Sequence, residues 1–171
     1  MATPTTLPAS FTAGQVLTAA QMNNLRGAFR VLQVVFGQTD TVVSNSTSTY
    51  VDTTLTATIT PSSTSSKILV MVSQNGVSKS AANANNSCAI AMLRGSTIIS
   101  YISTSAAYTG TAVQNIVAVS GNYLDSPATT SATTYKTQFC NTIVNGAAAG
   151  VQTSIGAGAP ASHIVLMEIS A

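Results

Sequence analysis

Residues 49–76 constrain the fold more than any other stretch of this chain: TYVDTTLTATIT, then PSSTSSK, then ILVMVSQNG. In the first piece Val51, Leu55, Ala57 and Ile59 fall on one side, and Asp52, Thr54, Thr56 and Thr58 on the other. A period of two rich in threonine is the signature of a strand with one buried face. Pro61 ends that ladder, because it has no N–H to donate and its φ is fixed. The Ser/Thr cluster behind it can bond back to nearby backbone, which suits a turn. Residues 68–72 are five apolar residues in a row, too few for a buried helix and suited to a strand covered on both faces. A strand wet on one side is thus joined to a deeply buried one, the start of a β-sandwich core.

The same reading extends along residues 31–171. Residues 31–36 read as a buried run that continues over 39–43 after a Gly-containing break. Residues 77–86 are small and polar, which predicts an exposed loop. Residues 88–93 and 97–103 flank Gly95-Ser96, a pair suited to a two-residue type II′ hairpin turn. A strand over 112–119 is closed by Gly121 and Asn122, and the stretch 123–131 contains the turn-forming Asp-Ser-Pro. Tyr135, Thr137 and Phe139 alternate with Lys136, Gln138 and Cys140. Asn145-Gly146 opens a small-residue loop running to Pro160, and residues 164–169 are apolar enough to be central in a sheet. Eight or nine short strands with regular turns predict an all-β, antiparallel, jelly-roll-like sandwich over residues 31–171.

Ahead of it, residues 1–30 read as a separate anchor region. Residues 2–16 hold Pro4, Pro8 and Gly14 among Thr and Ser, an extended arm. Thr18 and Gln21 form a capping box, with Leu17 and Met22 placed as its hydrophobic staple. Met22, Leu25, Phe29 and Leu32 follow at helical spacing, and Gly27 keeps the helix short, costing about 1 kcal/mol relative to Ala. Such a helix either caps its own sandwich or docks on another chain. In the docking case Phe11, Leu17, Thr18, Gln21, Met22, Leu25 and Phe29 are the anchoring residues.

Charge narrows the function. Only 6% of residues are charged and the net charge is +2, while more than a quarter of the chain is Ser or Thr. The six basic residues are scattered and make no patch for nucleic acid. No apolar run approaches the ~20 residues of a membrane helix, and the N-terminus has neither the basic nor the apolar segment of a secretory signal. A surface made polar by hydroxyls rather than ions favours association, which points to life in an assembly. The four acids, Asp40, Asp52, Asp125 and Glu168, show no dyad spacing, and His163 is the sole histidine. Cys88 and Cys140 stand alone, and with His163 they lack the close ligand pairs of a zinc site. No catalytic residue, metal site or cofactor is expected. Tyr101 and Tyr108 are candidates for stacking on a sugar, at a recognition tip built from loops over residues 78–86, 103–111 and 145–161.

Five segments carry a family likeness: TITPSSTSSKILVMVS (58–73), RGST (94–97), YLDSPATTSATTYKTQF (123–139), SHIVLMEIS (162–170) and FTAGQVLTAAQMNNL (11–25). Together they resemble small β-rich structural proteins of tailed bacteriophages, especially those of cyanobacterial and marine phages. The resemblance implies a virion surface component made in the bacterial host cytoplasm, often trimeric and often labelled tail-fibre-like. A single β domain without shaft repeats would suit a capsid decoration protein, an adaptor or a short head or tail appendage. The partners implied are other copies of the chain, capsid or tail proteins and, for a fibre, a host surface glycan.

Overall fold

The computed structural model of the protein describes Gly14, Val16 and residues 31–143, 147–156 and 158–170. Apart from Gly14 and Val16, the expected arm, the capping box and the helix therefore lie outside the described residues, as do all seven anchoring candidates; Leu32, expected to continue the helical spacing, lies in a strand instead.

The described residues are all-β. Ten strands run in chain order: β1 (Val31–Thr39), β2 (Val43–Asn45), β3 (Val51–Ile59), β4 (Lys67–Lys79), β5 (Cys88–Arg94), β6 (Thr97–Ala106), β7 (Asn115–Asp125), β8 (Thr133–Asn141), β9 (Ala149–Val151) and β10 (Ser162–Ile169). They form a four-stranded sheet, ordered β3-β8-β5-β6, and a six-stranded sheet built around β4. One edge of β4 pairs with β7, the other with β10 and then β9, and β1 and β2 lie outside those two. Every pairing is antiparallel. Four of the pairs are nested in sequence, β5 with β6, β4 with β7, β3 with β8 and β1 with β10, and successive pairs alternate between the sheets.

The inner faces of the two sheets share their core. Leu55, Ile59, Met92 and Tyr135 from one sheet pack with Ile68, Val70, Val72, Ile164 and Leu166 from the other. A second cluster joins Cys88, Ile90 and Phe139 to Val77 and Val151. Between them runs a buried polar bridge: Thr137 Oγ1 donates to Gln74 Oε1 at 2.9 Å, and Gln74 Nε2 donates to Ser162 Oγ at 3.0 Å. Burial leaves such groups costly unless paired, so the bridge also fixes how the sheets register.

Several sequence expectations hold here. The alternation of β3 puts Leu55, Ala57 and Ile59 inside and Thr54, Thr56 and Thr58 outside. β10 is interior to its sheet, and Gly95 turns the β5–β6 hairpin with a φ of +58°. Others are corrected. Gly37 does not break a strand but lies within β1, where a Cβ would come 2.2 Å from the Thr56 carbonyl oxygen of β3. Gly121-Asn122 is no turn either: β7 passes straight through it, and Gly121 makes room for Ile102 of the opposite sheet. Residues 77–79 belong to β4 and are buried, as are Asn86 and Ser87. Residues 31–36 are not a buried run, since Val31, Leu32, Val34 and Phe36 are exposed, and residues 68–72 are covered on one face only, with Ile68, Val70 and Val72 buried and Leu69 and Met71 partly exposed.

Candidate functional site

The groups that could carry chemistry are committed to structure. Glu168 is fully buried, and its carboxylate accepts from Ser62 N at 2.7 Å, Ser62 Oγ at 2.6 Å and Gln33 Nε2 at 2.6 Å. Burial pushes its carboxyl up, but these donors outweigh burial and hold it down to about 2. Asp125 accepts both from Arg94 Nη1, at 2.9 and 3.0 Å, and from the Tyr135 hydroxyl at 2.7 Å. That contact ties β7 of one sheet to β5 and β8 of the other. Lys79 is fully buried without a carboxylate beside it; its Nζ donates to the carbonyls of Asn83, Ala84 and Thr111 at 3.1, 3.2 and 2.6 Å.

The thiols are equally occupied. Cys88 points into the core and burial raises it well above the usual thiol range. Cys140 follows the core residue Phe139 on β8 and so faces the opposite side of the sheet, where the Tyr50 hydroxyl reaches it. Both are free. His163 packs against the Phe36 ring with centroids 5.6 Å apart. Among the described residues, no three His, Cys, Asp or Glu side chains gather as a metal site would require.

The two tyrosine candidates are not brought together. Tyr101 lies on the outer face of the four-stranded sheet, tilted against Tyr50 at 6.4 Å. Tyr108 sits in the β6–β7 connection, and each is just over half exposed. The three segments expected to form a recognition tip meet at one end of the molecule, although residues 78–79, 103–106 and 149–151 of them are strand, in β4, β6 and β9, rather than loop. Lys79 joins residues 83–84 to Thr111, Ser80 N donates to Ala148 O at 3.0 Å, and Ser78 Oγ donates to Thr153 Oγ1 at 2.9 Å. Beside them is an open depression of about 400 Å³ lined by Gln114, Ile116, Thr153, Ser154, Ile155 and Gly156. Among the described residues, no charged or aromatic side chain lines it.

The most distinctive surface was not among the sequence candidates. On the outer face of the six-stranded sheet, cross-strand register aligns Val34, Met167, Leu69 and Leu124 in one row across β1, β10, β4 and β7. The next row is Phe36, Val165, Met71 and Asn122, and the one after it Gln38, His163, Ser73 and Ser120. Val34 is 56% exposed, Phe36 58% and Leu124 54%. A contiguous apolar stripe thus crosses four strands, with Gln38, His163, Ser73 and Ser120 along one side and Val31, Ile169 and Lys67 along the other. The signal was in the sequence. Each of the apolar runs at 31–36, 68–72 and 164–169 is apolar at odd and even positions alike, so each supplies two faces.

No protein-family model matches the chain, and no curated protein matches it.

Proposed function

We propose that this chain is a non-enzymatic structural protein of a tailed-phage virion. It acts as a surface accessory, a capsid decoration or a short appendage, that docks through residues 1–30 and oligomerises, as a trimer, through its β domain. The observation that carries this reading is the exposed apolar face across β1, β10, β4 and β7. Contiguous exposed apolar surface of this kind marks a contact with something else. Asp52, Asp125, Glu168 and the buried Lys79 serve as cross-ties between strands and loops, which suits a scaffold that must be rigid. The two sheets close as a jelly-roll sandwich, since nested pairs alternating between sheets are what a long hairpin gives when wrapped across two layers. The phage assignment rests on the five segments that resemble such proteins.

The test is the number of copies per purified particle relative to the major capsid protein. A near-stoichiometric ratio supports decoration of the shell, and a ratio far below it supports a vertex or tail appendage. Absence of the protein from particles overturns the reading.

A second reading, a receptor-binding module for a host surface glycan, is favoured by the convergence of the three loops and by Tyr108 beside them. Adsorption of the purified chain to host cells, lost on Tyr108→Ala, supports it; no adsorption sinks it.

A further inference from the structure

We infer that the end of the molecule where β4 meets the β4–β5 and β6–β7 connections contains a carbonyl cage for a primary ammonium group, filled in this chain by its own Lys79. The inference goes beyond the virion reading and holds whichever part of a particle the chain occupies. Lys79 closes β4, pairs with Asn115 of β7 and Ala149 of β9, and is fully buried. Its Nζ donates to the carbonyl oxygens of Asn83 at 3.1 Å, Ala84 at 3.2 Å and Thr111 at 2.6 Å. Among the described residues no carboxylate pairs with it. A buried charge is costly unless it is paired or fully hydrogen-bonded. An ammonium has three N–H donors and no acceptor, and three carbonyl oxygens converge on it here. That match of number selects the class of occupant. A calcium ion takes roughly six to eight oxygen ligands, and three neutral carbonyls neither fill that shell nor balance its charge.

What the cage holds in place follows from where its carbonyls come from. In the β4–β5 connection the other hydrogen bonds around Asn83 and Ala84 are local: Ala82 N donates to Ser80 Oγ at 3.3 Å, and Asn85 N to Asn83 Oδ1 at 2.7 Å. The β6–β7 connection is likewise tied within itself. Thr109 Oγ1 and Val113 N donate to the Thr111 carbonyl at 3.0 and 2.9 Å, and Asn115 Nδ2 donates to the Ala107 carbonyl at 3.3 Å. Among the described residues the Lys79 ammonium is the hydrogen-bonded link between these two connections. It therefore sets where the exposed Tyr108 stands relative to residues 80–87.

The test is chemical rescue in the full chain. Lys79→Ala leaves a space with the shape of n-propylammonium beside the three carbonyls. It is expected to lower the melting midpoint by on the order of 10 °C, since those carbonyls lose a charged donor. Amide hydrogen exchange should quicken across residues 80–87 and 107–114. n-Propylammonium chloride should reverse both effects saturably in this variant and leave wild type unmoved. Potassium, and tetramethylammonium, which has no N–H, should not rescue at equal concentration. Lys79→Met is similar in shape but neutral, so it should also lose stability and should not respond to the amine. If neither variant folds, wild type decides: proton–nitrogen NMR should show a lysine ammonium whose protons persist at neutral pH, unlike those of the partly exposed Lys67 and Lys136. Absence of that signal overturns the inference. So does Lys79→Met melting as wild type does, or rescue of Lys79→Ala by potassium and tetramethylammonium as well as by the amine.

Discussion

The outer faces of the two sheets are built on opposite plans. On the four-stranded sheet, β3 and β8 present Asp52, Thr56, Thr58, Thr134, Lys136 and Gln138 to solvent. Those groups satisfy one another: Lys136 Nζ lies 2.7 Å from Asp52 Oδ1, Gln138 Nε2 donates to the same carboxylate at 2.8 Å, and the Thr58 and Thr134 hydroxyls bond at 2.8 Å. Burial opposes the charge on Asp52, but Lys136 and Gln138 together outweigh it and lower its pKa. On the six-stranded sheet the corresponding positions are Val34, Phe36, Leu69, Met71, Val165 and Met167. On β3 and β8 the outward groups pair with one another, while the six-stranded sheet leaves apolar side chains exposed. Identical strand geometry underlies both, so the difference lies wholly in which residues occupy alternate positions.

The largest effect is expected from comparing neighbours on β10. Leu166 faces the core and is fully buried, and Met167 faces outward. Leu166→Ala should cost ~2–5 kcal/mol through lost burial and the cavity left behind. Met167→Ala should cost about 1 kcal/mol or less in dilute chain while weakening association. Denaturant unfolding at two protein concentrations separates these terms, since only an interface makes stability depend on concentration. Equal costs for the two variants at low concentration would mean that Met167 is already covered within one chain.

A smaller effect is expected from pH. Glu168, beside the turn that links β3 to β4, has its pKa depressed from 4.5 to about 2. A depressed acid stabilises the fold above its unfolded pKa. That contribution is fully present above about pH 4.5 and is lost as pH falls through about 2, with on the order of 3 kcal/mol at stake. Unfolding free energy measured from pH 6 to pH 2 should fall steeply below pH 4.5, and Glu168→Gln should flatten that part of the curve. An unchanged slope in the variant would show that Glu168 is not the group responsible.

What the sequence revealed follows from how locally each feature is encoded. The faces of β3 are legible in TYVDTTLTATIT because alternation is a property of adjacent residues, and the Gly95-Ser96 turn is legible for the same reason. The run at 68–72 reads as a strand covered on both faces, and of that only its two-sided apolar character holds. It could not say that only one is covered by the described residues, because a cover comes from elsewhere. Gly37 and Gly121 look like breaks, yet each marks a close approach by the opposite sheet, from Thr56 and Ile102 respectively. Lys79 read as part of a polar loop since its three carbonyl partners are contributed by residues 83, 84 and 111. Glu168 was hidden likewise, held by Ser62 and Gln33 far away in sequence. Pairings at long range, not local propensity, decide these cases.

The smallest effect on stability, and the most direct way to break the contrast between the faces, is to make the polar one resemble the other. Thr58 and Thr134 lie directly opposite on β3 and β8. Replacing both by valine keeps shape and β propensity and removes both partners of one exposed hydrogen bond, a change that is nearly neutral when no partner is left behind. Melting of the dilute double variant should stay within about 0.5 kcal/mol of wild type. Its association should nevertheless change, because an apolar pair now interrupts the hydroxyl and ionic surface of the four-stranded sheet. Light scattering is expected to detect larger species than it does for wild type. If the variant assembles only as wild type does, apolar residues alone do not make a face adhesive. The stripe on the six-stranded sheet would then owe its role to its extent over four strands, which a single valine pair cannot reproduce.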